Sequence, residues 1–268
     1  MTPNTPSDPP VREIALPSGP LLYTREGEGF PVVAVHGVPG STRDFRWFFP
    51  ALNASYSCIR LVLPGFAGAP LRTMPYPRLM PRGRLINEAL QALAIERCLL
   101  IGHSMGGAIA CAAVALEPKR YVGLALLASL GLRPHQSFRA FSGATALSIA
   151  FRIPAVSGWL LPRLRRDCER MGFKGHDDQA LIQMVHTVAS FSFPQHAKNV
   201  RRLSVPTMVA SADDDPLIEQ SISQELYWQC PNGPRLAFPD GGHNIQKTRA
   251  VELGIALDAW LKQLLDGS

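Results

Sequence analysis

Residues 98–107, Cys-Leu-Leu-Ile-Gly-His-Ser-Met-Gly-Gly, constrain the architecture of this 268-residue chain more than any other stretch. The first four are an apolar run without polar alternation, the pattern of a strand covered on both faces. From Met105 to Leu116 the chain is Ala-rich and helix-forming, until Glu117-Pro118 stops it. A strand must therefore turn into a helix within Gly-His-Ser-Met-Gly. Small residues at Gly102 and Gly106 let the backbone pass closely, Gly107 permits tight packing, and Ser104 at the apex is held in a strained conformation with its hydroxyl exposed. The helix start points free N–H groups and a positive dipole end at that hydroxyl, which suits a developing oxyanion. The plain alternative is a Gly/Ser turn without chemistry.

Around this turn, strand and helix patterns alternate. Residues 11–16 and 21–24 read as an edge hairpin about Pro17-Ser18-Gly19-Pro20. Residues 31–35 and 58–63 read as central strands flanking a helix over 42–53 that carries Phe45, Trp47, Phe48 and Leu52 inward. A helix over 85–95, a strand over 98–101 and a strand over Tyr121–Leu127 follow. The class is α/β: a mostly parallel central sheet with helices on both faces and its functional site at the carboxyl ends of the strands. After Leu130 the alternation stops for ~70 residues where a loop of 2–6 would serve. Helical patterns over 137–151, 156–171 and 177–193, punctuated by Pro154, Pro162, Gly172 and Gly175, predict an inserted helical lid over the catalytic face. The pattern resumes with a strand over 207–210, a helix over 216–229, a strand over Arg235–Phe238 and a helix over 245–265. The expected division is a disordered segment over 1–10, a core over 11–130 and 205–268, and a lid over 131–204.

Composition narrows the function classes. An apolar share of 46% with 18% charged residues describes a globular chain with a large core and argues against a disordered chain. Five cysteines, an odd number without Cys-x-x-Cys spacing, indicate neither a zinc site nor a disulfide framework, and reduced buried thiols are expected. Residues 1–10 have four prolines and no basic or apolar leader, so a cytoplasmic location is expected. The longest apolar stretches, such as 122–132, fall short of the ~20 residues a membrane span needs. A net charge of +6 comes without a basic tail, finger spacing or aromatic RNA-binding signature, so no nucleic-acid partner is expected. No cofactor or metal motif is visible, and the sequence leaves the oligomeric state open.

The turn at Ser104 resembles that of the α/β-hydrolase superfamily, and the likeness extends over residues 11–130 and 204–265. His36-Gly37-Val38-Pro39-Gly40, after a predicted strand, looks like that family's oxyanion loop. The resemblance implies that the backbone N–H groups of Val38 and Met105 form an oxyanion hole. It also implies that the base is the histidine of the loop after the last strand, which is His243. His36 and His103 are then structural, with His103 the lesser alternative as base, and His135, His176, His186 and His196 fall in the lid. The acid comes from Asp213-Asp214-Asp215-Pro216, where the family pattern selects Asp215 and leaves Asp213 and Asp214 as alternatives. Any of them could instead cap the helix expected at Pro216. The order Ser104, Asp215, His243 is the order of this fold. Two features depart from the pattern. Residues 62–69, Val-Leu-Pro-Gly-Phe-Ala-Gly-Ala, lack the polar residues relatives often carry there, and the oxyanion loop is not the Gly-Gly-Gly type of many lipases.

Serine at position 104 points to acyl transfer rather than the chemistry of relatives that need a carboxylate nucleophile. The resemblance implies a serine hydrolase cleaving a carboxylic ester. Hydrolysis of a C–C bond in a ring-cleavage product is a rival within enzymes, and a non-catalytic receptor or scaffold is a rival outside them. Residues 131–204 carry eleven Lys or Arg against four Asp or Glu, a surplus of seven that exceeds the whole-chain charge. A solvated helical surface is the favoured reading over attraction of anionic substrates or surfaces. Phe138, Phe141, Phe151, Trp159, Leu160, Phe173, Phe191 and Phe193 either line an apolar acyl pocket or form the lid's own core.

Overall fold

A computed structural model describes residues 8–52, 55–71 and 78–267. Its strands are β1 (Val11–Ile14), β2 (Leu21–Glu26), β3 (Phe30–Val35), β4 (Tyr56–Leu61), β5 (Cys98–His103), β6 (Tyr121–Leu127), β7 (Thr207–Ala212) and β8 (Arg235–Phe238). They join in one sheet of order β1-β2-β4-β3-β5-β6-β7-β8. Strands β1 and β2 form an antiparallel hairpin and β2 is antiparallel to β4, while every pairing from β4 to β8 is parallel. This is the mostly parallel α/β sheet that the alternating pattern predicts.

Successive side chains of a strand point to opposite faces, and two cores result. Val33, Val35 and Leu100 join the core under α1 (Leu79–Ala92) and α2 (Met105–Leu116), whereas Val32, Ala34, Leu99 and Ile101 join the core under α10 (Ala250–Asp266). Because β5 is buried along its whole length, it has no polar alternation to show. Helices α1 and α2 approach closely at Gly83, where a β-carbon would meet Ala112 at 2.8 Å.

Between β6 and β7 lie five helices: α3 (Gln136–Ala140), α4 (Ala144–Ala150), α5 (Pro154–Arg170), α6 (Asp178–Ser190) and α7 (Phe193–Val200). The helical periodicity was therefore legible, but its bounds were not. The run 137–151 breaks at residues 141–143 into α3 and α4, and the run 177–193 ends at Ser190, where Ser192 caps a new helix by accepting the Gln195 N–H at 3.2 Å. Helix α5 carries Pro154 at its start, and Asp177 caps α6 by accepting the Ala180 N–H at 2.7 Å.

Other expectations need correction. The helix over 42–53 is two short 3-10 turns, Thr42–Phe45 and Phe49–Ala51, separated where Pro50 cannot donate a helical hydrogen bond; Asn53 lies outside the described residues. Phe45, Phe48, Phe49 and Leu52 are nevertheless buried. Helix α1 starts at Leu79 rather than 85, with Pro81 tolerated in its first turn. Helix α8 (Gln220–Gln229) starts four residues later than expected, because Asp215 folds the intervening loop around its own carboxylate. The last helical run divides into α9 (Ile245–Thr248) and α10, joined at Arg249. Most of the segment expected to be disordered, residues 1–7, lies outside the described residues, while Asp8 forms an ion pair with Arg43. Among the described residues, no helix is long and apolar enough to cross a membrane.

Candidate active site

Strand β5 ends at His103 and α2 begins at Met105, so Ser104 alone makes the turn. Its φ of 54° and ψ of −124° lie in a region that costs a non-glycine residue ~1–3 kcal/mol. The surroundings hold it there. The Ser104 N–H donates to the Leu127 carbonyl at 3.0 Å, and its own carbonyl accepts the Gly107 N–H at 3.0 Å. A side chain at Gly102 would collide with the backbone of Gly106 and Gly107, and one at Gly106 with the carbonyls of Val35 and His36. The glycines are thus required by close approach, and the serine is presented as a consequence.

His243 stands in the loop after β8, on a backbone bent by positive φ at Gly241 and Gly242. Its Nε2 is 2.9 Å from Ser104 Oγ and its Nδ1 is 2.8 Å from Asp215 Oδ2. A carboxylate can only accept, so Nδ1 carries the proton and Nε2 is left with a lone pair facing the serine hydroxyl. The side chains of His243 and Asp215 are nearly closed to solvent, at 9% and 2% exposure. Burial alone would raise the Asp215 carboxyl, but the His243 hydrogen bond and charge outweigh it, together with the N–H groups of Leu217 and Ile218 on Oδ1 at 2.8 and 3.1 Å. The net direction is downward, and the group is a carboxylate.

The three consecutive aspartates go to three different partners. Asp215 meets His243; Asp214 Oδ1 accepts the Gly242 N–H at 2.7 Å; Asp213 Oδ1 accepts from Gln220 Nε2 at 2.6 Å. Asp215 also caps its own loop, with Oδ1 on the Leu217 and Ile218 N–H groups while Oδ2 faces His243. Neither ring nitrogen of His103 bonds to the Ser104 hydroxyl: its Nε2–H donates to the His243 carbonyl at 2.9 Å and its Nδ1 has no hydrogen-bond partner among the described residues. Burial, and then the neighbouring His243, push the His103 ring down to about 3, so it is neutral in ordinary buffers.

The loop over 36–40 lies directly against the serine, since a β-carbon on Gly37 would come within 3.1 Å of Ser104 Cβ. His36 ties it to the next strand's end: the Leu63 N–H donates to Nε2 at 3.0 Å, and Nδ1–H donates to the Gly37 carbonyl at 2.6 Å. Phe66, fully buried in residues 62–69, sets its ring edge-on to His36 at 5.8 Å. Val38 and Met105 both line the cavity above Ser104, and the Met105 N–H belongs to the first turn of α2, where no helical acceptor exists.

That cavity measures about 40 Å³ and is roofed from the helical insertion. Phe138, Phe141 and Phe173 line it, as do His135, Met184 and Val188. The last three were not singled out from the sequence as site residues: His135 had no partner in the pattern, and Met184 and Val188 share an i, i+4 face of α6 that reads equally well as core. Of the other aromatics, Phe151 packs within the insertion's own core, Phe191 and Phe193 pack on Phe138 at 5.3 and 4.9 Å, and Trp159 is 78% exposed. The basic insertion is tied to the core by its charges. Arg133 bonds Glu225 at 2.8 Å, and Glu219 receives Arg139 as well as the Gln136 N–H at 2.9 Å. Among the described residues, no group of three or more His, Cys, Asp or Glu is placed to hold a metal ion.

A family model described as the alpha/beta hydrolase family matches residues 32–253. The chain is 30% identical over 264 residues to the dihydrolipoyllysine-residue acetyltransferase component of an acetoin cleaving system from Pseudomonas putida, covering 95% of this chain and 70% of that one. It is 32% identical over 116 residues to the 2-hydroxy-6-oxo-6-phenylhexa-2,4-dienoate hydrolase of Comamonas testosteroni, covering 42% of this chain and 41% of that one. Its fold resembles that of a thermophilic esterase from Thermogutta terrifontis, with a TM-score of 0.75 at 20% identity, covering 95% of this chain and 99% of that one.

Proposed function

Because the chain belongs to the alpha/beta hydrolase family, we propose that it is a serine hydrolase that cleaves carboxylic esters through an acyl-enzyme on Ser104. One observation carries the reading: the continuous hydrogen-bonded line from Ser104 Oγ through the His243 ring to the Asp215 carboxylate, at 2.9 and 2.8 Å.

In this mechanism the Ser104 oxygen attacks the ester carbonyl while its proton passes to His243 Nε2. Asp215 stabilises the resulting imidazolium and keeps the proton on Nδ1. The oxyanion forms between the N–H groups of Val38 and Met105, a pair of donors worth several kcal/mol in the transition state. Collapse breaks the bond to the alcohol, which leaves with the proton from Nε2. Water then attacks the acyl-enzyme with His243 as base, releasing the carboxylic acid and restoring the serine. The strained turn at Ser104 supports this reading, since with the His243 contact it holds the hydroxyl ready before substrate arrives. In the same proposal residues 131–204 act as a lid, because α3 and α6 roof the cavity. A cytoplasmic location fits the five cysteines, all free and buried.

Hydrolysis of p-nitrophenyl acetate and p-nitrophenyl octanoate tests the function. At least one should turn over, and Ser104→Ala should lose ~10⁴-fold or more in kcat. A second reading, hydrolysis of a C–C bond in a ring-cleavage product, draws on the 32% identity to the dienoate hydrolase. Turnover of a dienoic diketone with no turnover of either ester would favour it.

A further inference from the structure

The cavity above Ser104, about 40 Å³, admits water but lies far below the ~300–1,000 Å³ of a site that encloses a small molecule. A medium- or long-chain acyl group has no room there. A second cavity, of about 580 Å³, lies between α4 and α5. Ala144, Leu147, Leu160, Leu164 and Met171 make its walls apolar, and Arg163 and Arg170 stand at its rim, sharing Asp167 at 3.9 and 3.5 Å. This volume falls within the range the first cavity misses.

Phe141 is common to the linings of both cavities. It is half-buried at the end of α3, followed by exposed Ser142 and Gly143, and a β-carbon on Gly143 would meet nothing within 4 Å. The turn that carries the ring is thus hemmed in on one side only. Rotation of such a side chain is fast compared with turnover. We propose that the α4–α5 cavity is the acyl subsite, taking the apolar chain of a medium- or long-chain acyl ester, with Phe141 as the door between that chain and Ser104. The assignment rests on the ester-hydrolase reading above and adds the substrate class to it. Displacing the Phe141 ring joins the two volumes, so that the carbonyl reaches Ser104 while the chain lies along Leu147 and Leu160 and ends near the arginine rim. Burial of that chain favours long substrates, by up to about fourfold for each methylene group fully buried.

The test compares kcat/KM for p-nitrophenyl octanoate and acetate in wild type, Leu147→Trp and Leu160→Trp, each filling the subsite from a different wall. Wild type should prefer octanoate by at least tenfold, and each tryptophan should lower the octanoate-to-acetate ratio at least tenfold. Reaction of Ser104 with diisopropyl fluorophosphate reports that a variant is folded, and either variant alone is sufficient. Phe141→Ala should raise kcat/KM for octanoate more than for acetate. A wild type that reacts with the fluorophosphate but prefers acetate overturns the subsite and leaves the hydrolase standing. So does a ratio that moves less than twofold in the folded tryptophan variants. A wild type that neither reacts with the fluorophosphate nor turns over either ester overturns the hydrolase, and the subsite with it.

Discussion

Replacing Asp215 by Asn separates the roles of its two oxygens. Oδ1 accepts two backbone N–H groups, from Leu217 and Ile218, and Oδ2 faces the Nδ1–H of His243. In Asp215→Asn the amide oxygen must stay on the side of the two N–H donors, because an NH2 there would set donor against donor. The NH2 therefore faces Nδ1, which can meet it only as an acceptor, so the ring proton moves to Nε2. His243 then donates to Ser104 where it should accept, and the base is lost although the geometry is kept. A loss of this kind is worth ~10⁴ in kcat, or ~5.5 kcal/mol of transition-state stabilisation, with KM little changed. Asp214→Asn keeps an oxygen for the Gly242 N–H and should lose less than tenfold, and Asp213→Asn, whose partner is an exposed glutamine, less than threefold. The assay is steady-state hydrolysis of the better p-nitrophenyl ester, with thermal unfolding as the folding control. Retention of kcat within tenfold in Asp215→Asn, or a larger loss in either neighbour, would refute the tautomer argument.

Acid should destabilise the fold well before its carboxylates titrate. Burial holds His103 down to about 3 and His135 and His196 down to about 4, so between these values and ~6.5 the unfolded chain binds three protons that the folded chain does not. The stability is full above ~6.5 and is lost as pH falls below it, by ~2 kcal/mol per histidine at pH 5; urea midpoints equal at pH 8 and pH 5 would contradict this. Gly106→Ala should cost more than ~3 kcal/mol or abolish folding, because its β-carbon meets the carbonyls of Val35 and His36, and a urea midpoint within error of wild type would show that the turn can shift. Arg139→Ala removes an exposed partner of Glu219 and should change stability by no more than ~1 kcal/mol, read from the same urea curves.

How far the sequence carried depends on whether the signal was local. Ser104 is specified within ten residues, because the glycines around it are demanded by backbone contacts of the turn itself. The family resemblance pointed to His243 after the last strand and to Asp215 before Pro216, with Asp213 and Asp214 as alternatives, whereas the separate partners of the three aspartates follow from the packing of the loop after β7, which turns Asp215 toward His243 and Asp214 toward Gly242. Strands buried on both faces were legible as apolar runs, and β6 and β8 were read to the residue. The helix over 42–53 was misread because Phe45, Trp47, Phe48 and Leu52 look like an amphipathic face, yet capping at Ser41 and the proline at position 50 divide the stretch into tight turns. In the insertion, helical periodicity does not say which apolar face looks toward a site. Phe138 and Phe141 line the cavity while Phe151 packs among helices, and nothing in the spacing separates them.

Covalent labelling reads the proposed nucleophile, Ser104, directly. Wild-type protein incubated with a fluorophosphonate should gain one adduct per chain, mapped by peptide mass to the segment containing Ser104, and Ser104→Ala should gain none under the same conditions. Equal labelling of both proteins, or an adduct on another residue, would contradict the account.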